Sequence, residues 1–288
     1  MFKRLTIIGV GLIGGSLARA VRQVEGCREI VGCSRDQAHL QQAVDLGVID
    51  RFETDPGRAV DGADIVVIAV PLGAMAGLFQ AIAARLGPDA VITDVGSAKG
   101  SVVDYARRHL AAHLARFVPG HPIAGTERSG VTASFAGLFE DRTVILTPLA
   151  ETDRQALARV RELWEMTGAR LAEMTVDHHD QVLAATSHLP HLLAYSLVDT
   201  LAQMDDSEEI FTYAAGGFRD FTRIASSDPV MWRDICLNNR NAILAGLDRY
   251  NRHVSRLRQA IEQADADVIL EIFSRAKAVR DRQMPSSG

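Results

Sequence analysis

Short apolar runs alternate with segments of helical periodicity along roughly the first 175 residues. The runs are rich in β-branched residues and apolar throughout, which predicts strands buried on both faces. They are RLTIIGV, EIVGCS, DIVVIAV, AVITDVG, RTVILTP and ARLAEMT. The segments between them, such as LIGGSLARAVRQV and DQAHLQQAVDLG, space their apolar residues as helices do. This alternation predicts an α/β domain whose parallel sheet is covered by helices on both sides.

From about Val176 the pattern is helical throughout. HHDQVLAATSHLPHLLAYSLVDTLAQM is one long helical pattern that contains Pro190. Because proline lacks a backbone N–H, we expect a kink or break near Ala185–Ser187. A second long helix opens at Asp228 and Pro229 and continues to IEQ, and the segment ADADVILEIFSRAKAVRDRQ follows it. The second part is therefore predicted to be all-helical.

These patterns divide the 288 residues into two predicted domains, 1–175 and 176–288. We expect the helical domain to complete its core with a second copy, in a homodimer. The net charge of −5 gives no basic surface for nucleic acid, and no apolar run is long enough to span a bilayer. Cys27, Cys33 and Cys236 are too few for a disulfide framework, which predicts a cytoplasmic protein.

Gly9, Gly11 and Gly14 form the pattern G-x-G-x-x-G between the first strand and the first helix. In that context the first glycine permits a tight turn, the second lets a pyrophosphate approach, and the third lets helix and strand pack closely. The alternative is a glycine-rich turn that binds nothing. Further candidate cofactor-binding residues are Leu12, Ile13, Val70 and Pro71.

The end of the second strand reads GCSRD. Ser34 stands where an acidic residue binds the adenosine ribose of NAD, and Arg35 follows it. A hydroxyl and a guanidinium suit a 2′-phosphate, so NADP is favoured over NAD. Asp36 is interpreted as the N-cap of the next helix. The alternative is that Arg35 stacks on adenine and that both cofactors bind.

Two motifs between the strands carry candidate chemistry. DVGSAKG places Ser97 at the end of a strand, where ligands bind in open α/β sheets. GHPIAGTERSG is a loop that holds His121, whose ordinary pKa suits a general base. Taken alone, His121 is more typical of a histidine in a surface loop than of a catalytic base.

The helical part supplies further polar residues. SHLPH contains Ser187, His188 and His191, and the segment GFRDFTRIASSDPVMW contains Arg219, Arg223 and Trp232. Arginines near an anionic cofactor suggest that a carboxylate binds there.

The segment DHHD, from Asp177 to Asp180, offers a metal cluster as an alternative. Neighbouring histidines on a helix point to different faces, however, and a nicotinamide-dependent dehydrogenase needs no metal. We therefore expect no metal site, and we interpret Asp177 as the cap of the long helix.

The sequence resembles the prephenate/arogenate (cyclohexadienyl) dehydrogenases of tyrosine biosynthesis, over about residues 5–262. The motifs that carry the resemblance are GVGLIGGS, TDVGSAKG, GHPIAGTERSG, SHLPH, GGFRDFTRIASSDPVMW and the downstream NR. The resemblance implies a Rossmann-type dinucleotide-binding domain followed by an all-α substrate and dimerisation domain. It also implies oxidative decarboxylation of prephenate, arogenate or both, with hydride transfer to NAD(P)+.

The resemblance also implies site residues. His121 would accept the proton of the ring 4-hydroxyl, Ser97 would fix that geometry, and Arg223 would bind the ring carboxylate. His191, Ser187 and Trp232 would hold the substrate. Glu127 would join an ionic network with Arg219 and Asp220, to which the partner subunit contributes. The family has Lys or Arg near the place of Arg219, which makes that role less specific.

Two rival functions stay open. Other two-domain dehydrogenases and imine reductases have a similar architecture, but the β-hydroxyacid dehydrogenases use a lysine base on the helical domain. Lys277 is the only lysine after Lys99 here, and the long helix carries none. A non-catalytic NADP-binding sensor is the other rival, although it would leave the histidine motifs unexplained. The sequence does not choose between prephenate and arogenate.

Overall fold

The structure is a computed structural model, and it describes residues 1–126 and 128–283. Its residues group into two units, one from Met1 to Arg240 and the other from Asn241 onward. The domain boundary predicted between residues 175 and 176 falls inside the first unit, in the turn before its helical part, and stays a prediction. Within the described residues, no helix is long and apolar enough to cross a membrane.

Six parallel strands form the main sheet of the first unit. They are β1 (Phe2–Ile8), β2 (Cys27–Cys33), β3 (Arg51–Glu53), β4 (Ile65–Ile68), β5 (Val91–Asp94) and β6 (Phe117–Val118). Their order is β3-β2-β1-β4-β5-β6, with every neighbouring pair parallel. The strand order reverses between β1 and β4, as in Rossmann-type folds. The predicted α/β class and its dinucleotide-binding architecture are therefore confirmed.

Helices cover both faces of this sheet. They are α1 (Leu12–Gln23), α2 (Gln37–Asp45), α3 (Pro56–Ala59), α4 (Leu72–Ile82), α5 (Gly100–His109) and α6 (Arg154–Glu165). Successive side chains of a strand point to opposite faces. Leu5 and Ile7 accordingly join the apolar core that contains Leu17 of α1, whereas Ile8 joins a second core that contains Phe79 of α4. Burial on both faces is confirmed for β4 and β5 and for most of β1 and β2, but it is wrong for the predicted strand ARLAEMT, which is only partly buried.

A second sheet departs from the all-parallel expectation. Its strands are β7 (Gly120–Pro122), β8 (Thr143–Leu146) and β9 (Arg170–Glu173). β7 is antiparallel to β8, and β8 is parallel to β9. Pro119 alone separates β6 from β7 and has no N–H to continue the first ladder. One residue is also too short for the crossover that a parallel neighbour requires, so β7 pairs with β8 instead.

The rest of the first unit is helical, as predicted. Its elements are α7 (Val176–Leu183), a π-helical turn (Ala184–His188), α8 (Leu189–Ala202), α9 (Ser207–Thr212), α10 (Gly216–Thr222) and α11 (Pro229–Asn238). The π-helical turn confirms the irregularity expected just before Pro190. The predicted cap of α7 is wrong. The hydroxyl of Thr175 accepts the hydrogen bond from the N–H of His178 at 3.3 Å, and Asp177 lies in the first turn.

The long helix predicted from Asp228 is in fact two helices. α11 ends at Asn238, and α12 (Arg240–Glu262) follows after a break at Asn239, where φ is −113° and ψ is 32°. The side-chain amide of Asn239 donates to the carbonyl of Asp180 at 2.8 Å, a long-range contact that no local pattern contains. The second unit continues into α13 (Ala266–Gln283) and exposes large apolar side chains, among them Ile261, Leu270 and Phe273.

Candidate active site

The glycine turn after β1 has a backbone that side chains would disrupt. Gly9 has φ of +102°, and a Cβ there would lie 2.1 Å from the carbonyl oxygen of Ala69. A Cβ at Gly14 would lie 2.1 Å from the carbonyl oxygen of Gly9. The turn therefore brings α1 against β1 at a distance that only glycine allows.

Gly11 is different, because a Cβ there would meet no described atom within 4 Å. It is the N-cap of α1, and no described side chain caps that helix end. The first N–H groups of α1, among them those of Leu12 and Ile13, therefore have no side-chain cap beside the point where the strand order reverses. Half-buried Val70 and exposed Pro71 follow β4 at the same edge. Free N–H groups at a helix start fit the pyrophosphate of a dinucleotide.

The end of β2 lies next to this turn. The hydroxyl of Ser34 accepts a hydrogen bond from the N–H of Asp36 at 3.0 Å, and Arg35 is exposed. Asp36 caps α2, as predicted, by accepting from the N–H of His39 at 3.1 Å. The ring of His39 donates from Nε2 to the carbonyl of Val10 at 2.8 Å, a contact to the glycine turn that the sequence did not indicate.

His121 lies on β7, and its side chain is buried within a chain of hydrogen bonds. Its Nδ1 lies 2.9 Å from Nε2 of His179, on α7. The other ring nitrogen of His179, Nδ1, lies 2.8 Å from Oδ1 of Asp180. A histidine predicted from a loop motif is therefore connected, through a histidine 58 residues further along the chain, to a carboxylate on the same helix as that second histidine.

The surroundings keep these imidazoles neutral. Burial lowers the pKa of His121 well below its ordinary value, and the nearby His179, Lys99 and His188 lower it further. Burial also lowers the pKa of His179, although its hydrogen bond to Asp180 opposes that shift. Burial would raise the pKa of Asp180, but the hydrogen bonds it accepts outweigh that effect and hold its pKa below the usual value. The arrangement thus provides a neutral base and an ionised carboxylate.

A buried ion pair holds β7 against β5. The ammonium of Lys99 pairs with Asp94 at the end of β5 and donates to the carbonyl of Gly120 at 2.7 Å. The N–H of Gly120 donates in turn to Oδ1 of Asp94 at 3.2 Å. The backbone N–H and carbonyl of Gly120, the residue before His121, are therefore both hydrogen-bonded to this ion pair. Burial lowers the pKa of Lys99, and the charge of Asp94 opposes that shift.

Ser97 lies in the turn between β5 and α5, and its side chain is half-buried. The carboxylate of Asp180 binds the end of this turn, because Lys99 N and Gly100 N each donate to it at 2.8 Å. Asp180 therefore contacts both the Ser97 turn and the histidine chain that ends at His121.

The helical part contributes further candidate site residues. The ring of His191 stacks on Trp232 with centroids 3.7 Å apart and planes 20° from parallel. Nδ1 of His191 donates to the carbonyl of Ser187 at 2.8 Å. His188 is 1% exposed, and burial lowers its pKa to about 4. Its Nδ1 accepts from the Asn239 amide at 3.0 Å.

The charged residues predicted for the site are more exposed to solvent than these histidines. Arg223 follows α10 and is exposed, and its charge helps to lower the pKa of His191, for which burial is the larger cause. The exposed Arg219 and Asp220 lie on α10 itself. Glu127 lies outside the described residues. Among those described, no three His, Cys, Asp or Glu side chains are arranged to hold a metal ion.

Sequence reasoning missed the partners of the candidate base. His179, Asp180, Lys99, Asp94 and Asn239 are all buried polar residues. One signal for His179 was present, because adjacent histidines on a helix face different directions and can therefore differ in burial. His178 is indeed exposed and His179 is 0% exposed. The partners themselves depend on long-range contacts.

Comparison with known proteins covers both halves of the chain. A family model described as "Prephenate dehydrogenase, nucleotide-binding domain" matches residues 17–173. A second model, "Prephenate dehydrogenase, dimerization domain", matches residues 175–275. The chain is 41% identical to a cyclohexadienyl dehydrogenase of Zymomonas mobilis over 97% of its own length and 96% of that protein. It is 40% identical to a prephenate dehydrogenase of Bacillus subtilis, over 96% of its own length and 75% of that protein.

Solved structures show the same similarity. Prephenate dehydrogenase from Aquifex aeolicus, in complex with hydroxyphenyl propionate and NAD+, superposes with a TM-score of 0.92 at 37% identity and covers 98% of each chain. Arogenate dehydrogenase from Synechocystis superposes with a TM-score of 0.81 at 28% identity, over 97% of this chain and 99% of that one.

Proposed function

The chain belongs to the prephenate dehydrogenase family, and on that basis we propose that it oxidises and decarboxylates prephenate, arogenate or both, in tyrosine biosynthesis. The products are 4-hydroxyphenylpyruvate from prephenate and tyrosine from arogenate. A nicotinamide dinucleotide is the cofactor, and when bound it supplies the acceptor for the hydride.

One observation carries the assignment of the site. A buried, neutral histidine, His121, lies beside the Ser97 turn, at the end of the sheet where the glycine turn offers free N–H groups. A neutral imidazole in that place can take the proton of a hydroxyl whose carbon gives up a hydride. His188, His191 and Arg223 come from the helical part of the same unit.

We assign the proton to His121. Nε2 of His121 accepts the proton of the ring 4-hydroxyl as hydride leaves C4, so that C4 becomes a carbonyl. The bond from the ring to its carboxylate then breaks, and its electron pair enters the ring and releases CO2. The phenolate oxygen takes back one proton, so the reaction needs no net acid or base. Aromatisation supplies the driving force, and the protein has only to orient the substrate and move this proton.

The other site residues hold the substrate. Arg223 binds the ring carboxylate by charge and hydrogen bonds, and Ser97 orients the hydroxyl toward His121. His191, Ser187 and the stacked Trp232 form the pocket for the side chain. Glu127, Arg219 and Asp220 form an ionic network near its entrance, which a partner subunit completes.

The assembly and location belong to the same proposal. The described apolar side chains that α12 and α13 leave exposed fit a homodimer, as does the name of the family model that matches the second half. Cys27, Cys33 and Cys236 are free thiols, which suits a cytoplasmic enzyme. We propose domains of 1–175 and 176–288, which the family matches over residues 17–173 and 175–275 support.

NADP is the preferred cofactor in this proposal. Ser34 and exposed Arg35 follow β2, where a 2′-phosphate would lie, and Asp36 uses its carboxylate to cap α2. Gly9, Gly11, Gly14, Leu12 and Ile13 hold the pyrophosphate. Val70 and Pro71 border the nicotinamide half.

Steady-state kinetics with both substrates and both cofactors test this function. We expect reduction of NADP+ with prephenate or arogenate and none with 3-hydroxyacids. Arg35→Ala should raise KM for NADP+ by about 10-fold and leave KM for NAD+ unchanged, because one charge-assisted contact is lost. Arg28→Ala, at the other end of β2, is the matched control. A parent enzyme that prefers NAD+ would refute the NADP assignment, and no reduction with any substrate would favour the sensor.

A further inference from the structure

The carboxylate of Asp180 joins two parts of the candidate site that come from different elements. Oδ1 contacts His179 Nδ1 and accepts from Lys99 N, each at 2.8 Å, and Oδ2 accepts from Gly100 N at the same distance. One side of this network leads to His121, and the other leads to the turn that carries Ser97.

The ring nitrogen that carries the hydrogen in each histidine follows from which groups can donate a hydrogen bond and which can only accept one. An ionised carboxylate only accepts hydrogen bonds, so Nδ1 of His179 carries a hydrogen. Neutral imidazole has one N–H, so Nε2 of His179 is an acceptor. Nδ1 of His121 must therefore be the donor in the 2.9 Å contact between the two rings. Nε2 of His121 is left with a lone pair.

We propose that His179 and Asp180 are positioning residues that hold His121 in the tautomer with an unprotonated Nε2, and that Asp180 at the same time fixes the Ser97 turn. This inference rests on the proposed role of His121 as the base. It gives a role to a buried His-Asp pair on a helix of the second half.

The same chain stabilises the product of proton transfer. When His121 takes a proton it becomes an imidazolium, whose Nδ1–H still donates to His179. His179 in turn donates to the negative charge of Asp180, and no proton has to move beyond His121. The titratable groups that face His121 are His179 on α7, His188 in the π-helical turn and Lys99 before α5. Lys99 is paired with Asp94 on β5, so Asp180 is the carboxylate available to the histidine chain.

The first test replaces His179. His179→Phe keeps a ring against His121, where the present rings meet edge-on at 5.1 Å, but it removes the acceptor. We expect kcat to fall about 10- to 100-fold, with the affinity for NADP+ unchanged. The ratio of two neutral tautomers does not depend on pH, so the loss should persist along the whole upper plateau of the pH profile. His179→Gln restores an acceptor and should recover part of the loss, and His178→Phe is the exposed control.

The second test reads the tautomer directly. Nitrogen-15 NMR of histidine-labelled protein distinguishes protonated from unprotonated ring nitrogens, and His121→Asn assigns the signal. We expect Nε2 of His121 to be unprotonated in the parent and partly protonated in His179→Phe. Asp180→Asn should lower kcat more than His179→Gln does, because it also loosens the Ser97 turn, whereas Asp177→Asn on the same helix should have no effect.

The outcomes separate this inference from the function on which it rests. If His121→Asn abolishes turnover while His179→Phe has normal kcat and the parent tautomer, the positioning role is wrong and the base assignment stands. A loss in His179→Phe that appears equally in cofactor affinity and thermal midpoint would mean that the pair is only structural, and would also overturn the inference. If His121→Asn retains normal turnover, the proposed base itself is wrong.

Discussion

Four buried or half-buried histidines of this protein have different partners, and the partners assign them different tasks. His121 contacts another imidazole, and His179 contacts a carboxylate as well. His188 accepts from an amide, whereas His191 donates to a carbonyl and stacks on an indole. Burial lowers the pKa of all four, so each is neutral at neutral pH. Neutral imidazole can accept a proton, which is the property that the proposed reaction requires.

Arg223→Ala is the residue-scale prediction for substrate binding. Loss of a charge-assisted contact to the ring carboxylate should raise KM for prephenate about 10- to 100-fold. The affinity for NADP+, measured by fluorescence titration, should change by less than about two-fold. Arg170→Ala serves as the control. Arg170 is also an arginine, but it forms an exposed ion pair with Asp141 and is distant in sequence from Arg223. An unchanged KM for substrate would remove Arg223 from the site.

Single residues were predictable where their role is local. Asp36 was identified as a cap because a cap needs only the N–H groups of the next turn, and those follow in sequence. Asp177 was misassigned, because Thr175 two positions earlier makes the same kind of contact. The role of Asp180 could not be read from its neighbours, since its backbone donors lie 80 and 81 residues away.

At the scale of elements, the contact between β1 and α1 gives a sharp prediction. Gly14→Ala would place a methyl 2.1 Å from the carbonyl oxygen of Gly9 and 2.8 Å from Cγ2 of Ile7. The helix must move off the strand, so we expect stability to fall by about 1–3 kcal/mol and the affinity for NADP+ to fall with it. Chemical denaturation and cofactor titration measure the two effects.

Gly77→Ala is the matched control for that prediction. Gly77 also lies within a helix, α4, but a Cβ there would meet no described atom within 4 Å. Alanine favours a helix interior over glycine, so this variant should be neutral or up to about 1 kcal/mol more stable. If Gly77→Ala and Gly14→Ala change stability by the same amount, close packing is not the reason that position 14 requires glycine.

Element type was more predictable than element boundaries. Apolar periodicity identified most strands and the helical second half, because burial on a sheet or helix face repeats along the chain. The break at Asn239 was missed, since its amide binds Asp180 and His188, both distant in sequence. The short β7 was missed as well, although it carries His121. Three residues are too few for a pattern, and its pairing with β8 is non-local.

On the scale of the whole first unit, the helical part is packed onto the dinucleotide-binding part. Trp232 and Ile235 of α11 share an apolar core with Phe79 of α4. The carboxylate of Asp234 accepts from the N–H of Gly73 at 3.3 Å, in the first turn of α4 after Pro71. The residues proposed to bind substrate and cofactor are therefore held in one packed body, which suits a reaction that transfers hydride between two bound molecules.

In the proposed reaction this enzyme couples hydride transfer to decarboxylation. That coupling is measured by following NADPH and CO2 together when the protein is supplied with NADP+ and either prephenate or arogenate. We expect the two products to form in equal amounts with at least one substrate, and we expect His121→Asn to lose both while it still binds NADP+. NADPH formation without CO2, or no reduction of NADP+ or NAD+ with either substrate, would contradict the proposed reaction.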